Sequence, residues 1–130
     1  MKIYTELVGS YPPIMELPVT ADEAYVKGEV LTIASGKATK AGLDSDGTRL
    51  YVCEETMEAN AKTTVKAHMI LNHLFYEAVC ADALTSNAIH TVVTLDSAAT
   101  GITATATKGV ATIISKPDGA SGKRAVIQFR

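Results

Sequence analysis

Tryptophan is absent from this sequence, phenylalanine occurs twice and tyrosine five times. Surfaces that grip sugars or single-stranded nucleic acid present aromatic faces for stacking, so both classes of function begin poorly supplied. Cysteine is nearly absent too, with only Cys53 and Cys80. Two thiols are neither a disulfide framework nor a Cys-x-x-Cys pair, and in a chain made in the cytosol they are expected reduced and partly buried. No apolar run approaches the ~20 residues that cross a bilayer as a helix. Met1-Lys2 is followed by polar residues and Tyr11-Pro12-Pro13, where a secretory signal would carry its apolar core. Net charge is only −2, so no general attraction to nucleic acid or to an anionic membrane is expected.

What remains is an ordinary globular composition. The chain has 130 residues, 47% apolar and 20% charged, which fits one domain with a real core and argues against global disorder. The charges are unevenly placed. Residues 1–60 hold ten acids against five bases, whereas residues 101–130 hold five bases against the single acid Asp118. This reads either as a solvated surface or as complementary patches that meet between neighbouring copies in an assembly.

Residues 1–23 read as an extended arm. Pro12, Pro13 and Pro18 hold the backbone in extended or polyproline-like conformations. The arm still carries Ile3, Tyr4, Leu7, Val8, Ile14, Met15 and Leu17, so it needs a surface, on its own domain or on a neighbour. Residues 24–130 read as one β-rich domain. Glu29–Ala34 and Lys37–Ala41 flank Ser35-Gly36, a tight hairpin that sets Thr32 opposite Thr39 and Leu31 opposite Lys40. Gly42 to Gly47 is turn chemistry. Thr48–Cys53 is a strand with Leu50 and Val52 on one face, Tyr51 and Cys53 on the other. After the polar connector Glu54–Ala61, Thr63–Phe75 alternates as one long strand, with Val65, Ala67, Met69, Leu71, His73 and Phe75 on its apolar side. A helix over residues 56–79 is the competing reading, through Met57, Ala61, Val65 and Met69. Ser86 caps an expected helix reaching Ala99, against which the β-branched run Thr91–Thr94 speaks for a strand. Thr103–Lys108, Val110–Ser115 and Arg124–Phe129 read as closing strands.

No arrangement for catalysis emerges from the residues. His68 and His73 are five apart, so on one strand they face opposite ways and share no metal. His73 reads as a core histidine, and His90 has no acid or thiol beside it. A Cys53 or Cys80 pair with His73 has nothing positive in its favour. Glu54, Glu55 and Glu58 read as solvated acids. Asp44-Ser45-Asp46 fails as a calcium loop, because Arg49 stands where the sixth-position glycine belongs.

The stretch from Gly28-Glu29-Val30-Leu31 through Tyr51-Val52-Cys53-Glu54-Glu55-Thr56 to Thr64-Val65-Lys66-Ala67-His68 resembles the head decoration proteins of tailed bacteriophages. The likeness continues through Phe75–Val79 to Gly101-Ile102, covering roughly residues 24–102. This chain departs from the family by continuing almost thirty residues further, with strands of its own, and by a Val/Thr-rich segment where the family has an Ala-rich helix. The resemblance implies a structural virion protein, made in the host cytoplasm, that binds the outer capsid surface and stabilises it. Its implied partners are the major capsid protein and further copies of itself, as a trimer, with no catalysis, cofactor, nucleic acid or membrane. The expected fold is mainly β, a small barrel or sandwich with an extended N-terminal arm and at most one short helix. On the arm's character alone, Tyr11, Pro12, Ile14 and Leu17 are the candidate capsid contacts. Other readings are a tail or baseplate component, or a small carbohydrate-binding domain.

Overall fold

A computed structural model describes residues 1–5, 12–42, 49–72, 74–80, 89–104, 109–115 and 123–130, with the backbone only for residues 2–5. Eleven strands run along it: β1 (Lys2–Thr5), β2 (Ile14–Pro18), β3 (Val30–Ala34), β4 (Lys37–Lys40), β5 (Tyr51–Cys53), β6 (Thr64–Met69), β7 (Phe75–Val79), β8 (Val92–Leu95), β9 (Ile102–Thr103), β10 (Ala111–Ser115) and β11 (Arg124–Phe129). They form two antiparallel sheets, ordered β1-β7-β11-β10-β8-β9 and β2-β6-β5-β3-β4. The second sheet curls until its two ends touch at a parallel bridge between Val19 and Ala38. Among the described residues there is no helix, in line with the mainly β expectation.

The curl creates two cores, one on each side of the five-stranded sheet. Leu17, Tyr25, Leu31, Ala38, Tyr51, Cys53, Met57, Val65 and Ala67 fill the inside of the curl. On the opposite face, Val30, Leu50 and Val52 meet Leu74, Tyr76, Leu95, Ile102, Ile113, Ile127 and Phe129 from the six-stranded sheet side. β5 is therefore buried on both faces, and its alternation of Leu50 and Val52 against Tyr51 and Cys53 separates the two cores as the sequence pattern indicated. Full burial of a Leu, Ile, Val or Phe side chain contributes roughly 1.5–3 kcal/mol, so these two clusters dominate the cohesion of the body. Backbone links add to it: the Val30 N–H donates to the Ala99 carbonyl at 2.7 Å, joining the β8–β9 turn to β3.

The hairpin of β3 and β4 forms in the expected register, Thr32 opposite Thr39 and Leu31 opposite Lys40. Ser35 and Gly36 both have positive φ (51° and 77°), the backbone of a tight primed turn. Two expectations are corrected. The expected single strand Thr63–Phe75 is two, because the chain leaves one sheet after Met69 and enters the other at Phe75. The phase flips across that crossing: Val65 and Ala67 point into the curl, whereas Tyr76 and Ala78, not Phe75, point inward on β7. The helix expected from Ser86 to Ala99 gives way to β8 over Val92–Leu95, where β-branched side chains suit a pleated surface better than a helix; residues 81–88 lie outside the described set, as do the turn residues 43–48 and His73.

The arm finds its surface on its own domain, one of the two places left open for it. β1 pairs with β7 at one end of the six-stranded sheet, and β2 pairs with β6 at one end of the five-stranded sheet. The prolines explain why this segment looked unpaired. The Val19 N–H donates to the Thr63 carbonyl, so in an antiparallel ladder Leu17 and Met15 bond to β6 while Pro18, Glu16 and Ile14 turn their backbone outward. Pro18 thus sits where its missing N–H costs nothing.

Candidate functional site

The four capsid-contact candidates do not form one surface. Tyr11 lies outside the described residues, Pro12 is buried, and Leu17 belongs to the core inside the curl. Of the three that are described, Ile14 alone is presented to solvent, 55% exposed at the start of β2. Glu16 and Pro18 are exposed with it along the same edge strand, and Pro13 is exposed just before it. The strand period explains the split: alternate residues of β2 face the core, so Ile14 and Leu17 cannot share a side. The exposed row is an edge strand bearing one large apolar side chain beside an acid.

A second arrangement escaped the sequence reading. Around the C-terminal end of β5, three acids each face a nitrogen-bearing side chain. Glu54 contacts His68 Nδ1; Glu55 meets Lys62 Nζ at 2.5 Å; Glu29 lies 3.8 Å from Lys40 Nζ. Antiparallel pairing sets Val52 opposite His68 and Val30 opposite Val52, so the histidine shares a face with two core valines and is only 2% exposed. Its ring stacks at 12° on Tyr76, with Nε2 3.4 Å from the tyrosine hydroxyl, and Tyr76 in turn packs edge-on against Phe129. Glu54, His68 and Tyr76 therefore form a polar link from the five-stranded sheet to the six-stranded one.

This corrects one expectation. His68 is a buried core histidine that the strand reading did not single out, and Glu54 is not simply solvated but pairs with it; the expectation for His73 lies outside the described residues. The signal was hidden because fourteen residues separate Glu54 from His68, and only the β5–β6 register brings them together.

Chemically, the arrangement favours holding over reacting. Tyr76 is fully buried and His68 nearly so, which keeps substrate-sized molecules from both rings. Burial pushes the Cys53 thiol up, and Glu29, Glu55 and Glu54 push it further, against a lowering by its bond to the Glu55 carbonyl. A thiol raised in this way stays protonated and is a poor nucleophile. Both cysteines are free thiols and buried, as expected; Cys53 faces the inside of the curl and Cys80 the core between the sheets. His90 sits in a left-handed turn with φ of 69°, its N–H donating to the Ile113 carbonyl. Among the described residues no three His, Cys, Asp or Glu side chains gather to hold a metal ion. Comparison with models of protein families and with curated proteins gave no match.

Proposed function

We propose that this chain is a structural protein of a phage virion that binds the outer surface of the capsid through the major capsid protein and stabilises it without catalysis, as a trimer of identical copies. The resemblance over residues 24–102 points to this role, and one structural observation supports it most: the exposed row Ile14, Glu16 and Pro18 on an edge strand that is itself anchored in the body. A contact made there transmits load into β6 and so into both cores. The quiet Cys53 thiol and the enclosed Glu54–His68–Tyr76 link suit a load-bearing body better than an active site. The aromatic rings whose burial is described, Tyr25, Tyr51, Phe75, Tyr76 and Phe129, are buried or half-buried, which weighs against a sugar-stacking platform.

The direct test is mass spectrometry of purified particles after separating heads from tails. The role requires the chain in heads, at a copy number comparable to the shell protein; recovery in tails alone would replace it with a tail or baseplate assignment. At the residue level, Ile14→Asp should leave the melting temperature within a few degrees of wild type while abolishing sedimentation with shells. Unchanged co-sedimentation of that variant would remove β2 from the contact.

A further inference from the structure

Glu29 stands apart from the other two acids around β5. Its residue is only 3% exposed, yet its Oε1 has no hydrogen-bond partner among the described residues. The other oxygen, Oε2, faces Lys40 Nζ at 3.8 Å, beyond hydrogen-bond reach, and the Lys40 side chain is itself 45% exposed and well hydrated. A buried carboxylate normally has its lone pairs filled by donors, because an ionised group taken from water without them is poorly solvated.

The position of Glu29 makes its charge consequential. It closes the turn from Val26, whose carbonyl accepts its N–H at 3.0 Å, and leads into β3. Its own carbonyl accepts the Cys53 N–H at 2.8 Å, while the Gly28 N–H donates to the Cys53 carbonyl at 2.8 Å. The side chain thus lies at the joint where β3 meets β5. Charged and titratable groups surround it, and the Met1 ammonium donates to the carbonyl of the adjacent Gly28 at 2.7 Å. Lys40 comes from β4, Glu23 from the preceding loop, where its carboxylate accepts from Thr39 and the Lys40 N–H, and Cys53 from β5, with Glu54 and Glu55 following it.

We infer that Glu29 is a proton-binding site that tightens the β3–β5 joint when the surroundings acidify. The proton comes from solvent and lands on a carboxylate oxygen, replacing a buried, poorly compensated anion with a neutral acid. Nothing leaves and no bond of the chain breaks. The direction of titration agrees: burial raises the Glu29 carboxyl above the ordinary glutamate value, Lys40 lowers it and Glu23 raises it further. A carboxyl raised in the folded state contributes stability that is fully present below its unfolded value, about 4.3 for a glutamate, and lost as pH rises through the folded value. Between those two values the protein gains stability as pH falls. This property belongs to the joint and does not depend on capsid attachment.

The test compares wild type with Glu29→Gln and Lys40→Met on the whole chain. Glu29→Gln should melt a few degrees above wild type at neutral pH, and the gap should close as pH approaches the ordinary glutamate value. Taking the difference removes the common titration of Glu54, His68 and the other acids. Lys40→Met should widen the wild-type rise on acidification, since the cation that lowers the Glu29 carboxyl is gone. Carbon-13 NMR of the Glu29 carboxyl supplies a reading independent of folding energetics, with a midpoint above the ordinary glutamate value. Parallel melting profiles for wild type and Glu29→Gln, or a carboxyl midpoint at or below the ordinary value, would overturn the inference.

Discussion

A methyl group added at Gly101 would lie 2.3 Å from the Val79 carbonyl oxygen and 2.8 Å from Asp96 Oδ2. The first of these is backbone of β7 and cannot swing aside, so the glycine is required by close approach. The residue after it, Ile102, forms the parallel bridge to Cys80 and is fully buried, so a shift here would disturb the core between the sheets. Gly101→Ala is expected to destabilise the protein by about 1–3 kcal/mol, the range for overpacking a filled site. Urea denaturation measures it, and a midpoint equal to wild type would mean that β7 and β9 separate more easily than their packing indicates. In the sequence the Gly-Ile pair marked only the end of the family resemblance. Its real role, spacing between two strands, required the neighbour's carbonyl to be in view.

At the scale of the element, the β3–β4 hairpin shows what local chemistry can decide. Ser35-Gly36 fixes loop length, loop length fixes register, and register fixes which face each side chain takes. No heavy atom lies within 4 Å of a Cβ built on Gly36, whose φ is +77°. Gly36→Ala should therefore cost about 1 kcal/mol from backbone conformation alone, without any clash. Thermal melting checks it; a loss several times larger would point to a distortion of the whole hairpin. The segment Thr63–Phe75 is the contrasting case. Its alternation was real up to Met69, but nothing local to Ile70–Leu74 announces that the chain changes sheets there. His68 and Tyr76 consequently share a core that a single uninterrupted strand would have kept apart by their distance along it.

For the whole molecule, the first nineteen residues matter more than an arm would. β1 belongs to one sheet and β2 to the other, and Met15, Leu17 and Val19 help to fill the curl. Deleting residues 1–18 removes both strands, uncovers one side of β6 and of β7, and opens the inner core. The expected outcome is loss of cooperative unfolding, measured by circular dichroism on heating, in place of a folded domain that has merely lost its attachment. A truncated chain that melts in a single sharp transition would show that β1 and β2 are dispensable after all. For this reason a point substitution at Ile14, and not truncation, separates binding from folding.

By itself, the sequence determined the mainly β class, the hairpin with its register, the two faces of β5 and the strand Arg124–Phe129. Each follows from forces acting over a few residues: turn chemistry, β-branched propensity and the two-residue period of a pleated chain. The tertiary structure alone decided that β1 and β2 join the sheets, that the long alternating segment breaks after Met69, and that Glu54, His68 and Tyr76 meet between the layers. It also decided that Glu29 is enclosed with one oxygen unpaired. Those outcomes depend on pairings between distant residues, whose energies come from burial and register in the folded chain and leave no mark on the residues beside them.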